Sequence, residues 1–364
     1  MKFHTLTIKN LRRETESCVS IAFEIPESLA ADYRFVQGQY LTLRSNLPDD
    51  DGNSAEIRRS YSICSSPLDG ELRVAVKQVE GGKFSTFANQ QLRTGDTLDV
   101  MTPTGKFGTK IDPQQSKNYV AFAAGSGITP ILSILKTVLR AEPKSHFTLV
   151  YGNKNTASVI FKEEIEGLKN QYLDRLSVYH VLSRERQDTE LFNGRIDGKK
   201  CHIFCEKLIN ISNSDEFFLC GPAEMIADVS ASLQSQGIEK NKIHAELFAA
   251  PNAVKHAKTL TNSSQSIDNQ NISKISVRLD GIYYDFDLAT DGDNILDAAM
   301  RAGADLPFAC KGGVCCTCRA KVTEGSVTMD VNYALEAEEL SQGFVLTCQS
   351  HPSSPRVVID FDEK

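Results

Sequence analysis

The sequence predicts a multidomain fold: an antiparallel β-barrel, an α/β domain built on a parallel sheet, and a smaller α+β domain. Three observations carry this prediction. They are the length of 364 residues, a change from short alternating strands to strands that alternate with helices, and a polar Asn- and Ser-rich connector. A chain of this length exceeds one ordinary hydrophobic core. We place the domains at 1–110, 111–249 and 274–364, with a flexible linker over 250–273.

The first segment contains short runs in which apolar and polar residues alternate, as is typical of strands. These runs are LTIKNL, VSIAFEI, YLTLRS, RSYSIC, LRVAVKQV and DTLDVM. Turn residues recur between them, for example at Asp69-Gly70 and Gly81-Gly82. The spacing predicts an antiparallel barrel with one short helix near 85–91.

Between about 117 and 249, apolar strand-like runs alternate with helical runs. The strands are YVAFAA, FTLVYGN, LSVYHVL and EFFLCG, and the helices are PILSILKTVLRAE, FKEEIEGLKNQY and PAEMIADVSASLQSQG. This alternation is typical of a parallel sheet with crossover helices, and such sheets hold ligands at the carboxyl ends of their strands. The sequence therefore predicts a nucleotide-binding architecture.

The last segment opens with ISVRLDGIYYDFDL, which predicts a hairpin turning at Asp280-Gly281, and continues with the helical run NILDAAMRAG. The net charge of −7 lies in this segment, because Lys274 to Lys364 holds eight Lys and Arg against fifteen Asp and Glu. An acidic module argues against nucleic-acid binding and fits steering onto a basic partner protein. Solubility alone is the alternative explanation of the same charge.

The composition favours a soluble cytoplasmic protein. No apolar run approaches the roughly 20 residues that span a bilayer, and the N-terminal sequence MKFHTLTIKNLRRETESC lacks the apolar stretch of a secretory signal. We therefore expect no membrane span. Ten cysteines would be unusual as disulfides in the cytoplasm, where clustered cysteines indicate metal binding or redox chemistry.

Four of these cysteines, Cys310, Cys315, Cys316 and Cys318, lie within nine residues. Cys310, Cys315 and Cys318 have C-x4-C-x2-C spacing within CKGGVCCTC, and Cys348 follows in LTCQS. This is the spacing of plant-type [2Fe–2S] proteins. The two glycines of the loop allow the backbone to wrap closely around a cluster. Structural zinc is the alternative, although zinc sites usually pair two C-x2-C units.

The hairpin, the helix, CKGGVCCTC and the later LTCQ together resemble the plant-type ferredoxin domain over about 90 residues. The resemblance implies a β-grasp fold. It also implies that the two irons are held by Cys310, Cys315, Cys318 and Cys348. Cys316 is then a spare residue, expected to be small and buried.

Residues 59–62 read Arg-Ser-Tyr-Ser, and RRSYSICSSP resembles the R-x-Y-[ST] motif of the ferredoxin–NADP reductase superfamily. The resemblance implies that this segment, with Ser60, binds FAD. Arg59 would pair with the pyrophosphate, Tyr61 would stack on the isoalloxazine, and Ser62 would bond near flavin N5. A second fragment, VKQVEGGKFSTF, resembles the other flavin segment of that family. It adds Val76, Gly82, Lys83, Phe84 and Ser85 as cofactor-binding residues.

The fragment AFAAGSGITPILSIL passes from strand through a glycine turn to a helix and resembles the nicotinamide segment of the same family. A G-x-G pattern alone is weak, but its place after a parallel strand favours a dinucleotide site. The residues implied there are Gly125, Ser126, Gly127, Ile128 and Thr129.

Two later fragments complete this resemblance. HVLSRE offers Ser183 and Arg184, which in related proteins grip the 2′-phosphate, so we favour NADPH, with NADH possible. FFLCGPAEMI resembles the C-G-P segment, whose cysteine lies beside the nicotinamide. It adds Cys220, Gly221 and Pro222 to the cofactor site.

The resemblance implies an NAD(P)H-dependent flavin and iron–sulfur oxidoreductase that supplies electrons to a separate oxygenase. Ser62 and Cys220 are its implied catalytic residues, and HAELF places Glu246 and Phe248 where related hybrids carry an acidic and aromatic pair. Alternative acceptors are a fatty-acyl desaturase, an alkane or aromatic hydroxylase, or a hybrid-cluster protein. Two other hypotheses are a non-catalytic redox carrier or sensor, and a reductase that uses FMN.

Overall fold

A computed structural model of the chain describes residues 2–48, 52–248 and 272–363. Two compact units divide the chain, Met1–Phe248 and Ala249–Lys364. The predicted linker over 250–273 lies outside the described residues except for its last two positions, which already belong to a strand. Within the described ranges, none of the helices is long and apolar enough to cross a membrane.

The N-terminal part of the first unit is a curled antiparallel sheet of six strands. They are β1 (Phe3–Thr15), β2 (Cys18–Glu24), β3 (Tyr40–Pro48), β4 (Ser54–Ser62), β5 (Leu72–Lys77) and β6 (Thr97–Met101), with the helix α1 (Lys83–Gln90) between the last two. The strand order is β4-β3-β6-β1-β2-β5. An antiparallel bridge between Ile63 and Val74 brings the two edge strands together, so the sheet curls around its apolar core.

The rest of the first unit is a five-stranded parallel sheet covered by helices. Its elements are β7 (Asn118–Ala124), α2 (Ile128–Ala141), β8 (His146–Asn153), α3 (Lys162–Gln171), β9 (Leu176–Leu182), α4 (Gly198–Lys207), β10 (Glu216–Gly221), α5 (Ala223–Ser235) and β11 (Ile243–Leu247). The helices α2 and α3 pack on one face, and α4 and α5 pack on the other. Both α4 and β11 are elements that the sequence analysis missed.

The strand order of this sheet, β11-β10-β7-β8-β9, reverses direction between β7 and β10. At such a reversal the two following connections leave on opposite faces and open a crevice at the carboxyl ends of the strands. The fold therefore creates one preferred ligand position, and the glycine turn after β7 lies there.

The second unit is a mixed sheet with a helix packed on it. Its elements are β12 (Ile272–Leu279), β13 (Ile282–Ala289), α6 (Ile295–Arg301), β14 (Arg319–Glu324), β15 (Val327–Met329), α7 (Ala337–Ser341), β16 (Phe344–Leu346), β17 (Ser350–Pro352) and β18 (Arg356–Asp360). The main sheet has the order β13-β12-β18-β14-β16, and β15 pairs with β17. Asp280 and Gly281 have φ values of 51° and 78°, as a two-residue hairpin turn requires.

Candidate functional site

The turn between β7 and α2 carries the predicted nicotinamide residues at the reversal of the parallel sheet. Gly125 has a φ of 54° and its carbonyl accepts a hydrogen bond from the Tyr151 hydroxyl at 2.9 Å. The Thr129 hydroxyl donates to the carbonyl of Ser126 at 3.0 Å and so ties the turn to the first turn of α2. Ile128 is fully buried beneath it. The turn is held on both sides, and it presents the amino end of α2, where backbone N–H groups favour phosphate.

Gly127 is required by the close approach of the neighbouring strand. A Cβ at this position would lie 2.1 Å from the carbonyl oxygen of Cys220, which no side chain can tolerate. The position of Gly221 is less confined, since a Cβ there would lie 2.7 Å from Cε of the flexible Met225 side chain and 3.2 Å from the backbone nitrogen of Ala124. The C-G-P segment and the glycine turn, both predicted from sequence, therefore lie against each other, and Pro222 is the residue directly before α5.

Ser62, Cys220 and Glu246 meet where the curled sheet faces this crevice. The Ser62 hydroxyl donates to a carboxylate oxygen of Glu246 at 3.1 Å. Glu246 is in register with Cys220 on the adjacent strand β11. Burial raises the pKa of Glu246 to about 8, against the opposing effect of the Ser62 hydrogen bond. Burial, and then the charge of Glu246, raise the pKa of the fully buried Cys220 thiol.

The two predicted catalytic residues are thus linked through a third, Glu246, which the sequence analysis found only as a match to related hybrids. A carboxyl group with a pKa near 8 can donate or accept a hydrogen bond at neutral pH. Ser62 is buried and comes from β4, whereas Cys220 and Glu246 come from the parallel sheet. The junction of the two sheets therefore brings a hydroxyl, a carboxyl and a thiol group together.

The flavin-motif residues lie at the carboxyl end of β4. Arg59 is exposed, and its guanidinium donates to the carbonyl of Arg58 at 2.7 Å. The Ser60 hydroxyl lies 3.2 Å from that of Thr42 on β3. Tyr61 is half-buried, with its ring centroid 5.7 Å from that of Phe84. An exposed cation, an aromatic face and a buried hydroxyl in this order fit a flavin and its phosphates.

The second flavin segment supplies the start of α1. The Ser85 hydroxyl donates to the Gly82 carbonyl at 3.0 Å and accepts from the Val79 N–H at 3.1 Å. A Cβ at Gly82 would lie 2.5 Å from this hydroxyl and 3.1 Å from the carbonyl oxygen of Val79, so a side chain there would disturb these hydrogen bonds. Among the described residues, no side chain caps α1, so its first N–H groups, beginning at Lys83, are suited to an anion.

The predicted cofactor residue Val76 lies on β5 of the curled sheet. Its side chain is fully buried in the core of the curled sheet, and its carbonyl accepts a hydrogen bond from Asn89 at 3.0 Å. Lys77, one residue further on, was not predicted but reaches the nicotinamide turn. A Cβ at Gly125 would lie 3.2 Å from Nζ of Lys77. Burial, and then the charge of Lys154, lower the pKa of Lys77, and a bound phosphate would relieve this repulsion.

Ser183 and Arg184 follow β9 at the same edge of the parallel sheet. Both are exposed, and their N–H groups donate to the carbonyls of Asn153 and Lys154 at 3.0 and 2.7 Å. These two bonds hold the segment beside the end of β8. Arg184 and Lys154 therefore place two cations at the outer end of the crevice, on the side away from Cys220.

In the second unit, the four predicted ligand cysteines form two pairs. Sγ of Cys315 lies 3.1 Å from Sγ of Cys310, and the thiols of Cys318 and Cys348 are hydrogen-bonded to each other. Within the described ranges, no three His, Cys, Asp or Glu side chains converge on a single ion position. Two pairs of thiols suit two irons with two thiolates each, and suit one tetrahedral zinc less well.

Backbone N–H groups surround these sulfur atoms. The N–H of Gly312 donates to Sγ of Cys310 at 3.3 Å, and that of Gly313 reaches Cys348. The hydrogen bond from the Cys315 thiol lowers the pKa of Cys310, and so do backbone N–H groups of Gly312, Val314 and Cys315, against the opposing effect of burial. Gly313 has a φ of 73°, and a Cβ there would lie 3.1 Å from Val331. The loop therefore fits an anionic cluster, which such N–H groups stabilise.

The thiol of Cys316 points away from the other four. It donates to the carbonyl of Ala334 at 3.5 Å and is half-buried. Gln349 is a residue that the sequence analysis did not single out. Its amide donates to the carbonyl of Lys311 at 3.0 Å and lies 3.6 Å from Sγ of Cys348. It thus ties the segment that carries Cys348 to the start of the cysteine loop.

This architecture defines an oxidoreductase that combines a flavin site, a dinucleotide crevice and an iron–sulfur loop. Three family models match the chain in this order: the oxidoreductase FAD-binding domain over residues 6–108, the oxidoreductase NAD-binding domain over 122–231, and the 2Fe-2S iron-sulfur cluster binding domain over 277–353. These matches confirm the predicted fold class and the predictions of FAD, a nicotinamide dinucleotide and a [2Fe–2S] cluster.

Curated relatives align over essentially the whole chain. The chain is 45% identical to one of the subunits of the 1,2-phenylacetyl-CoA epoxidase of Escherichia coli (strain K12), covering 100% of this chain and 98% of the relative. It is 31% identical to the ferredoxin reductase component of 3-ketosteroid-9-alpha-monooxygenase of Rhodococcus rhodochrous, covering 98% and 96%. The chain belongs to this family of oxygenase reductase components, within the ferredoxin–NADP reductase superfamily.

A solved structure shares the same fold. Phthalate dioxygenase reductase, described as a modular structure for electron transfer from pyridine nucleotides to [2Fe-2S], matches with a TM-score of 0.57 at 19% identity, covering 99% of this chain and 98% of that one. At this identity the likeness supports the fold alone. It agrees with the predicted order of an antiparallel barrel, a parallel-sheet domain and a ferredoxin domain.

Proposed function

We propose that this reductase takes electrons from NADPH and delivers them to a separate oxygenase, with segments 1–110, 111–249 and 274–364 as its working domains. The observation that carries the proposal is the meeting of Ser62, Glu246 and Cys220 beside the glycine turn at the reversal of the parallel sheet. When bound, FAD accepts a hydride from a nicotinamide and releases single electrons to an iron–sulfur cluster.

The chain's own residues would bind and orient these groups. Arg59 and the N–H groups at the start of α1 would hold the FAD phosphates. Tyr61 would cover one face of the flavin, and the other face would be left to the nicotinamide. Ser62 would hold its proton between Glu246 and flavin N5, since its hydroxyl already lies 3.1 Å from the carboxylate. Cys220, without exposed surface, would form the floor of the nicotinamide pocket.

The dinucleotide would run along the carboxyl edge of the parallel sheet. Its pyrophosphate would meet the amino end of α2 and the ammonium group of Lys77, which the curled sheet contributes. Its adenosine would lie toward Ser183 and Arg184. A guanidinium matches a phosphate better than a ribose hydroxyl, so the exposed Arg184 supports NADPH as the donor.

Replacement of Arg184 tests this preference for NADPH. We expect Arg184→Gln to weaken NADPH binding about tenfold and to leave NADH binding within about twofold, because only NADPH carries the 2′-phosphate. Binding would be measured by anaerobic titration with each cofactor. The exposed Arg186→Gln serves as a matched control. Equal weakening of both cofactors would contradict the assignment of Arg184 to the 2′-phosphate.

For the acceptor, we propose the oxygenase of a phenylacetyl-CoA epoxidase. Support comes from the 45% identity, over the full chain, to a protein component of that enzyme, and from the acidic excess after Lys274, which suits a basic docking surface. The ten cysteines are free thiols, which supports a cytoplasmic setting.

Reconstitution would identify the acceptor. The full chain would be mixed with the oxygenase components of the Escherichia coli epoxidase, phenylacetyl-CoA and NADPH, and epoxide formation would be measured. We expect turnover that rises with reductase concentration, and none when the oxygenase of a ketosteroid monooxygenase and its steroid replace them. The variant Cys348→Ala is the control for electron flow through the cluster. Turnover with the steroid system alone would overturn this choice of acceptor.

A further inference from the structure

One face of α2 carries a polar stripe on an otherwise buried, apolar helix. The positions follow the i, i+3, i+4, i+7 spacing, so they share one side of the helix. This side faces the segment 65–69, which follows β4. We name the four side chains the latch. The latch residues are Ser133, Lys136, Thr137 and Arg140.

The hydroxyl groups of the latch hold the backbone and side chains of this segment. The Ser133 hydroxyl donates to the carbonyl of Ser65 at 2.7 Å, and the Thr137 and Ser66 hydroxyls lie 2.8 Å apart. Ser133, Ser65 and Ser66 are each no more than 3% exposed. These bonds therefore form in a dry interface, where their geometry is sharply constrained.

The ionic part of the latch centres on Lys136, which is only 8% exposed. Its Nζ lies 2.6 Å from Asp69 and 2.5 Å from Glu164 on α3. Arg140 also pairs with Asp69. Asp69 in turn accepts the N–H of Ser66 at 2.8 Å, so the acceptor is itself fixed. One ammonium group thus ties the curled sheet to two helices of the parallel-sheet layer.

The latch and the segment 65–69 that it holds each lie close in the chain to one half of the reaction site. Ser65 follows Ser62 by three positions, and Ser133 follows Gly127 by six, less than two turns of α2. A shift of α2 against segment 65–69 would therefore move the nicotinamide turn relative to the flavin strand. Buried ion pairs contribute little net stability compared with apolar residues. Separating the partners is nevertheless costly, because it leaves a buried charge uncompensated, so the pairs resist a shift of α2.

We propose that Lys136 is a positioning residue, which with the rest of the latch fixes the nicotinamide turn against the flavin strand for hydride transfer. The inference rests on the proposed function, the reduction of FAD by NADPH. Lys136 touches neither cofactor site, so its effect would come through geometry alone. Misplacement of reacting groups by about 1 Å can cost about 100-fold in rate.

The test compares Lys136→Met with Lys136→Arg in the full-length holoprotein. Stopped-flow bleaching of the flavin by NADPH gives the transfer rate, and long-wavelength absorbance with NADP⁺ reports stacking of the nicotinamide on the flavin. Flavin content, NADP⁺ affinity and thermal unfolding are measured on the same samples. Lys162→Met is the matched control, because Lys162 is a half-buried lysine at the start of α3 whose ion pair with Glu166 is long, at 3.9 Å.

We expect Lys136→Met to slow bleaching at least tenfold and to weaken the stacking absorbance, with flavin content and NADP⁺ affinity within about twofold. Lys136→Arg should recover most of the rate, and Lys162→Met should match the wild type. Thr137→Val, which replaces a hydroxyl with a methyl group, should give the same pattern with a smaller effect. It decides the matter if Lys136→Met does not fold.

Three results would overturn the inference. One is a wild-type rate in both Lys136→Met and Thr137→Val. Another is a slower rate that merely follows lost flavin or lost folded protein. The last is a failure of NADPH to bleach the wild-type flavin, which would also end the proposed function. The first two leave the proposed function standing, so the two failures are distinguishable.

Discussion

The junction of the two sheets, where Ser62, Glu246 and Cys220 meet, is built in the opposite way to the cysteine loop. At the junction, Ser62 and Glu246 are 184 positions apart in the chain and meet through a 3.1 Å hydrogen bond. In the cysteine loop, three of the four thiols lie within nine residues, and local backbone N–H groups approach their sulfur atoms. The junction depends on the packing of two sheets, whereas the loop depends mainly on its own sequence.

This difference determines what a substitution should do in each region. In the loop, loss of one thiolate removes a ligand and the metal centre with it, while the rest of the unit keeps its own core. At the junction, no single residue holds the cofactors, so a change should alter rate, affinity or stability in part. The following predictions test this contrast, beginning with the largest expected effect.

Cys315→Ala should abolish the cluster. We expect iron to fall from about two per chain to nearly none, because a [2Fe–2S] cluster needs four thiolates. Iron and acid-labile sulfide would be assayed, together with flavin bleaching by NADPH, which should persist. Cys316→Ala is the control, since the Cys316 thiol bonds to the carbonyl of Ala334. A cluster that survives Cys315→Ala but not Cys316→Ala would reverse the ligand assignment.

Gly127→Ala should damage the junction. The added Cβ would lie 2.1 Å from the carbonyl of Cys220, so the strand or the turn must move. We expect a loss of about 1–3 kcal/mol in unfolding free energy and much weaker NADP⁺ binding. Gly167→Ala is the control, because a Cβ there meets nothing within 4 Å and lies within α3. It should stabilise the protein by about 0.5–1 kcal/mol. Similar effects of both changes would refute the steric argument.

Glu246 should make stability depend on pH. Its pKa is raised from 4.5 to about 8 in the folded protein, mainly by burial. The folded state therefore binds this proton more tightly than the unfolded chain. The resulting stabilisation is complete below about pH 4.5 and is lost as the pH rises through about 8.

Thermal unfolding of the wild type and Glu246→Gln across this pH range checks the sign. The Tm of the wild type should fall relative to that of Glu246→Gln between about pH 5 and about pH 9, because glutamine stays neutral. The exposed Glu239→Gln should show no such pH-dependent difference. A wild-type advantage that grows with pH would show that Glu246 is ionised in the fold.

Gln349→Leu should have the smallest effect. The amide 3.6 Å from Sγ of Cys348 would no longer stabilise negative charge, and the tie to the Lys311 carbonyl would be lost. We expect the cluster potential to fall by less than about 60 mV, the equivalent of tenfold for one electron. Spectroelectrochemistry would measure it, with the exposed Gln342→Leu as the control. A raised potential would contradict the proposed role of this hydrogen bond.

The same contrast explains how much the sequence could predict. The cysteine spacing indicates a cluster because all but one of the thiols are local, and the strand alternation and glycine turns of the first unit were enough to predict the fold class. The sequence analysis missed α4, although Cys201, Phe204 and Cys205 place apolar groups on one face. Its polar start, GKK, and its short length weakened that pattern.

The junction could be predicted only in pieces. Glu246 stands on a short strand, and nothing near it in sequence indicates that the Ser62 hydroxyl reaches it. Lys77 reads as the last residue of a strand, yet its ammonium group lies beside the turn at Gly125. Val76 stays a predicted cofactor residue, and the two-residue period of β5 turns its side chain into the core. Such contacts follow from tertiary packing.

The central claim is that electrons pass from NADPH to FAD and on to a [2Fe–2S] cluster within one chain. The most direct test is an anaerobic NADPH titration of the full-length protein, followed by visible and electron paramagnetic resonance spectroscopy, with iron and sulfide assayed on the same sample. The account predicts that the flavin bleaches, that a reduced [2Fe–2S] signal grows with it, and that iron is about two per chain. A flavin that reduces while the iron stays oxidised, or a loop that holds zinc, would contradict it.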